Sequence, residues 1–455
     1  MNGTKARQAG AGNAERPLGL ALLIVFHIAV CCVSLVCAAS YQLPLAFTPS
    51  TFHIFFDPER WYVAVIAIGA FALISPVFIF ARFSFGYFVG FYFFTMILGY
   101  LWLNSFTDLH YDHRLAGISA GMSAVTFLLP ALFISSPLRQ ICTLTASSFD
   151  RLLTCILILG VVTIIVGAFY NFQFAPPAKM YDYRAKLDAP VSVNYLVTIV
   201  SNALLPFAFA GFLARKSHWR AAASLVLLSF FYPITLNKIS LFAPLWLVAI
   251  VALSRLFLAR RAVVLSLLGP VLVGLIMITL FTANATLIFS IINFRMMAVP
   301  SIAMDVYNDF FSTHDLTYFC QISFLKRAMF CPYHDQLSAV MRQSYNLGDF
   351  NASLFATEGI ASVGTLFAPI AAFLCGLVIA LGNRLSAGLP ANFIMVSGAI
   401  IAKVLVDVPL TTAMLTHGLG TLFLLWYITP RAIFVVDTVS KTLSTLKQRR
   451  PPVVS

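Results

Sequence analysis

The stretch LGLALLIVFHIAVCCVSLVCAA, residues 18–39, runs its whole length without an Asp, Glu, Lys or Arg. A helix of about 20 such residues crosses the roughly 30 Å hydrocarbon layer of a bilayer. Comparable runs recur at roughly 61–81, 84–103, 116–134, 152–170, 194–214, 221–236, 239–254, 262–282, 356–381, 390–406 and 411–428. The seventh, eighth and eleventh of these are short. Closed β-barrels also satisfy their backbone in lipid, but their strands alternate apolar and polar residues. The runs here are unbroken. Of 455 residues, 10% are charged and 60% hydrophobic, against about 25% charged in soluble domains. The sequence therefore predicts an all-α protein, a polytopic transmembrane helical bundle of about 12 spans with one large structured outer loop.

Charge fixes the expected orientation. With both termini in the cytoplasm, the cytoplasmic segments hold 18 of the 29 Lys and Arg residues but only Glu15, Asp150 and Asp437 of the 16 acidic ones. This is the positive-inside pattern. The net charge of +13 reads as an orientation signal with attraction to anionic lipid, not as a nucleic-acid footprint. The first run is too long for the apolar core of a signal peptide and is read as an uncleaved helix. The expected organisation is a cytoplasmic tail (1–17), nine spans (18–282), a large periplasmic loop (283–355), three spans (356–428) and a basic cytoplasmic tail (429–455). The loop is rich in aromatic residues and Met, and 296–311 has amphipathic helical character. Long structured loops of this kind are usually functional.

The loop opens with NFRMMAVPSIAMDVYNDFFSTHD, residues 293–315. Arg295 stands where the ninth span ends, a costly depth for a cation unless it is paired or serves a ligand. Asp305 and Asp309, four apart, would share one helix face. Glu358 enters the tenth span beside Gly359, and Lys238 occupies a turn between two short spans. Each is a functional candidate by its depth. Lys403 and Asp407 read as a structural ion pair. The segment DLHYDHR, residues 108–114, offers two His and two Asp, yet no further cluster supports a metal, so it reads as a polar interfacial turn. No metal and no cofactor is expected.

The 293–315 stretch, followed after a loop by NASLFATEGIASVGTLFAPIAAFLCG (351–376), resembles the oligosaccharide repeat unit polymerases, the O-antigen (Wzy-type) polymerase group. The matching positions are Arg295, Pro300, Tyr307, Asp309, Phe310, Phe311, Ser312, Asn351, Glu358, Gly359 and Gly364. The match covers about 80 residues, the rest following by topology alone. Where relatives carry a Gly-Ser-Arg-like turn, this chain has TLNKISLF with Lys238, which lacks the bidentate fork of Arg.

The resemblance implies a bacterial inner-membrane glycosyltransferase that joins undecaprenyl-diphosphate-linked oligosaccharide units at the periplasmic face, alongside membrane lipid and a chain-length regulator. The diphosphate leaving group needs cations, and the acceptor hydroxyl needs a base. Arg295, Glu358, Asp309 and His314 are the expected catalytic set. Arg184, Lys238, Tyr307, Asn351, Lys326 and Arg327 are expected to bind substrate. Arg184, Lys238 and Arg295 should converge, with Glu358 or Asp309 in reach. Two alternatives stay open: a ligase that moves a lipid-linked glycan to another acceptor, and a transporter or flippase. A transporter should show two related halves, which this chain lacks. Cys320 and Cys331 fall in the outer loop, where a disulfide can persist. A bond, or two thiols tucked against aromatic rings, both fit the sequence; the Cα separation decides.

Overall fold

The computed structural model describes residues 17–40, 52–176, 183, 189–281, 286–322, 325–326, 328–347 and 357–434. Among these residues helices are present and strands are not, and nine helices are long and apolar enough to cross a membrane. The protein is an all-α polytopic bundle. The nine match the first six expected runs together with the eighth, ninth and tenth. The eighth is not short: it spans Lys238–Leu256, 19 residues, because its charged ends Lys238 and Arg255 remain helical. Long basic side chains can reach water from helix ends. The seventh is only His218–Phe230, followed by a single turn, Tyr232–Thr235. The eleventh is Ala391–Asp407, 17 residues, so Lys403 and Asp407 do lie on one helix. The twelfth is broken into Leu410–Leu415 and Leu419–Ile428, with Gly418 at φ +87° between them.

The chain forms two compact units. The first comprises residues 1–133, 252–379 and 405–410, the second 134–251, 380–404 and 411–455. In the first, Phe85–Asn104 is the central helix, with every residue from Phe85 to Leu103 buried. A helix apolar on all sides belongs inside a bundle. Pro17–Ser40, Trp61–Ala72, His113–Phe133, Ala259–Phe281 and Val299–Thr313 all pack on it. Gly99 allows close contact, since a Cβ there would collide with Ser301. The Ser301 hydroxyl donates to the Met96 carbonyl at 3.1 Å. His27, buried in the first helix, meets the Thr95 hydroxyl at 2.9 Å.

In the second unit, Asp150 and Arg215 form a two-point ion pair, both contacts 2.9 Å. The Trp426 indole donates to Ser397 Oγ at 2.9 Å. Lys238 is half-buried and follows a left-handed residue, Leu236, at φ +46°.

The segment Thr357–Ser386 is the one that positions the site. Gly364, at φ +78° and ψ 166°, breaks it. The arm 357–363 folds back on the start of 365–386. A Cβ on Gly359 would lie 3.0 Å from the Ala368 carbonyl oxygen and 3.1 Å from Ala371 Cβ. Residues nine to twelve apart in a straight helix are about 14–18 Å apart. The remaining 365–386 still measures about 33 Å, enough to cross. The break frees carbonyls at the end of the arm, and a neighbouring segment takes them. Thr317 N–H donates to Ala361 O at 2.8 Å and Tyr318 N–H to Ser362 O at 3.1 Å.

That neighbouring segment is cross-linked. Cys320 and Cys331 are joined by a disulfide, with Cα atoms 5.4 Å apart. Tyr333, just beyond it, packs its ring on Phe310 and Phe311 and donates its hydroxyl to Asp315 O at 2.8 Å. Lys326 is exposed and donates to the His334 carbonyl at 2.6 Å.

Two outcomes follow from this architecture. Gly364 occupies a backbone region essentially closed to other residues, at a cost of about 1–3 kcal/mol for a side chain. Gly364→Ala should lower the unfolding temperature of detergent-purified protein. Gly121→Ala, in a helix with open space around it, should not; equal behaviour of the two would contradict the hairpin. Cys320 and Cys331 should resist alkylation in intact cells until a reductant is added, and labelling of both without reduction would show the bond to be absent.

Candidate functional site

The helix Val299–Thr313, with Pro300 in its first turn, continues the π-helical stretch Ser290–Ala298 without a break. It presents Asp305 and Asp309 to one neighbour, the turn 105–112. Asp305 is 1% exposed and accepts a hydrogen bond from the Tyr111 hydroxyl. Its second oxygen, Oδ2, is buried with no hydrogen-bond partner. Asp309 is bound on both oxygens: His110 N–H donates to Oδ1 at 2.8 Å and the Tyr345 hydroxyl to Oδ2 at 2.6 Å. The expected shared face is therefore real, and it ties the helix to segments distant in sequence.

Tyr111 is the hub. Its hydroxyl also lies 2.9 Å from Asn104 Oδ1 and 3.4 Å from the Tyr100 hydroxyl. Asn104 in turn contacts His113 Nδ1 at 3.1 Å and donates to the His113 carbonyl at 3.0 Å. Asn308 donates to Tyr100 Oη at 3.2 Å and to Met304 O at 2.9 Å, and accepts from the Thr365 hydroxyl at 2.8 Å. Thr365 is the residue after the Gly364 break. One hydrogen-bonded chain thus runs from the 104–113 turn through Val299–Thr313 to the hairpin. In front of it lies a cavity of about 340 Å³, with Tyr111, Asp112, Asn308, Ser312, Thr365 and Phe367 in its walls.

Burial pushes the Asp305 carboxyl up to about 7; hydrogen bonds from Tyr111 and Thr107 oppose the rise, and the Asp309 and Asp108 charges add to it. Burial first, and then the charge of Asp305, raise the Tyr111 hydroxyl, which stays protonated. A hydroxyl has one proton to give. With Asp305 ionised, Tyr111 gives it to the carboxylate. With Asp305 protonated, the carboxyl can donate back, and the Tyr111 proton is free to turn to Asn104. The network can therefore hold or release one proton near neutral pH.

The expected site residues divide. Asp309 and Tyr307 belong to the helix behind the cavity, but neither lines it. Tyr307 is fully buried, its hydroxyl without a hydrogen-bond partner, and the nearby Glu358 charge joins burial in raising it. Glu358 accepts from Leu410 N–H at 3.3 Å. His314 is exposed at the end of Val299–Thr313, stacked on Phe310 with centroids 3.9 Å apart. Arg295 lies on a π-helical stretch, Ser290–Ala298, a local geometry frequent at functional sites; its side chain lies outside the described atoms. Arg184, Arg327 and Asn351 lie outside the described residues. Lys326 is engaged within the disulfide-linked segment, and Lys238 belongs to the second unit. Among the described residues the cavity walls are acidic, neutral and apolar.

Sequence reading missed Asn104, Tyr111, Asn308 and Thr365 as site residues. Tyr111 was visible inside DLHYDHR, where the two His drew attention instead. That segment is a turn: Asp108 pairs with His53 Nδ1 at 2.7 Å, and Asp112 Oδ1 accepts Leu115 N–H at 2.9 Å. Among the described residues no three His, Cys, Asp or Glu side chains are grouped to hold a metal.

The raised Asp305 carboxyl makes stability depend on pH. Between about pH 4 and 7 the folded state keeps a proton that an unfolded Asp would release. Raising pH through that window therefore lowers stability. The unfolding temperature of the wild type should fall from about pH 5 to 8 more steeply than that of Asp305→Asn, and parallel curves would refute the assignment.

Comparison with known protein families, curated proteins and solved structures gave no match to this chain.

Proposed function

We propose that this multi-pass membrane protein is a glycosyltransferase that joins polyprenyl-diphosphate-linked oligosaccharide repeat units into a surface polysaccharide, working at the periplasmic face of a bacterial inner membrane. One observation carries the proposal. The two sequence stretches that resemble the repeat unit polymerases meet in the first unit, where Thr365 donates to Asn308, and the residues just beyond the first stretch, Thr317 and Tyr318, bind Ala361 and Ser362. A cavity opens beside that junction. The Cys320–Cys331 bond is further support, because disulfides persist in oxidising compartments. On this reading Arg295 meets the diphosphate leaving group, for which a bidentate guanidinium is suited.

The test uses purified protein in proteoliposomes with a lipid-linked repeat unit. Wild type should lengthen the glycan. Arg295→Ala should leave single units at unchanged protein level, and Arg295→Lys should restore little, because a lysine cannot make the planar two-point contact. Normal polymer from both variants would remove Arg295 from the mechanism. Transfer of the glycan to a different acceptor would identify a ligase, and a change of leaflet alone a transporter.

A further inference from the structure

We propose that the cavity beside the Gly364 turn binds the hydroxyl-bearing sugar of the acceptor glycan, not the diphosphate; the glycan's role as acceptor rests on the function proposed above. The argument is an account of protons. Four uncharged polar side chains line the cavity, and each spends its protons on the protein. Tyr111 donates to Asp305. Thr365 donates to Asn308 at 2.8 Å, and Ser312 to the Asp309 carbonyl at 2.7 Å. The Asn308 amide gives its two protons to Tyr100 and Met304. What these groups turn to a ligand is lone pairs. Asp112, the one charged side chain in the wall, adds more: its Oδ1 accepts Leu115 N–H, and a carboxylate has capacity beyond that.

A wall of acceptors selects a ligand that donates. Diphosphate oxygens are acceptors and anionic, so they meet neither hydrogen bonds from these side chains nor a favourable field from Asp112 and the acid at Asp305. Sugar hydroxyls donate. The remaining walls are apolar, Leu115, Val363, Leu366 and Phe367, and can cover the C–H face of a sugar ring. At about 340 Å³ the cavity falls within the range of small-molecule sites, about 300–1,000 Å³.

The experiment is saturation-transfer NMR on the intact protein in detergent. The probes are methyl glycosides of a hexose, an N-acetylhexosamine and a 6-deoxyhexose, with inorganic diphosphate as competitor. At least one glycoside should show transfer that diphosphate does not displace. Ser312→Phe, which fills the cavity from an exposed position on the helix, should abolish it with the unfolding temperature retained. Asp112→Asn keeps a capping side chain for the helix His113–Phe133 and should weaken binding by about tenfold. Absence of transfer to every glycoside in the wild type, transfer unchanged in Ser312→Phe, or displacement by diphosphate would each overturn the proposal. Sugar binding without glycan lengthening would sink the polymerase reading alone. Lengthening that survives Ser312→Phe would sink the cavity assignment alone.

Discussion

A backbone carbonyl or N–H inside a helical membrane bundle has to find its partner within the protein, because hydrocarbon offers none and each unmet group costs several kcal/mol. The Gly364 break tests that rule. It ends one helical arm whose last carbonyls have no continuing helix to supply their N–H partners. Thr317 and Tyr318 supply the missing N–H groups, and the chain bends to do so through left-handed residues, Tyr318 at φ +47° and Phe319 at φ +64°. The Thr317 hydroxyl adds contacts to Ala361 O at 3.2 Å and Ser362 Oγ at 3.1 Å, so the hairpin arm and the disulfide-linked segment are joined at several points.

The second organising force is the pair of aspartates. Asp309 is fully committed, each oxygen to a different segment, and acts as a clamp. Asp305 accepts from the Tyr111 hydroxyl and is sealed at 1% exposure. The two lie one turn apart on a single helix and have opposite characters because only one is sealed from water. A sealed carboxyl is pressed toward its neutral form, which is what burial does to Asp305.

The apolar runs were legible because lipid imposes a length on any helix that crosses it. Legibility failed where local geometry interrupts that length. Residues 411–428 read as one run, yet Gly418 turns the chain; nothing in hydropathy distinguishes a glycine that bends from one that does not. The eighth run looked short because counting stopped at Lys238 and Arg255, which the helix keeps. The shared face of Asp305 and Asp309 followed from their spacing. Their partners could not, since Tyr111 stands 194 residues from Asp305 and no local pattern encodes that distance. The importance of 357–364 came from its glycines and Glu358. That the glycines serve a reversal of the chain, and that Glu358 accepts a backbone N–H from Leu410, required coordinates.

The clamp at Asp309 also has a history in time. The His110 N–H that it holds is 199 residues earlier in the chain. At about 5–20 residues per second, the ribosome takes about 10–40 s to make that stretch. At the start of that interval the first three membrane helices are already synthesised, while the turn that carries Tyr111 lacks its later partners Asp305 and Asp309. The clamp behind the cavity thus joins parts of the first unit made far apart in time, and a nascent chain released before Asp309 would leave the His110 N–H without that partner.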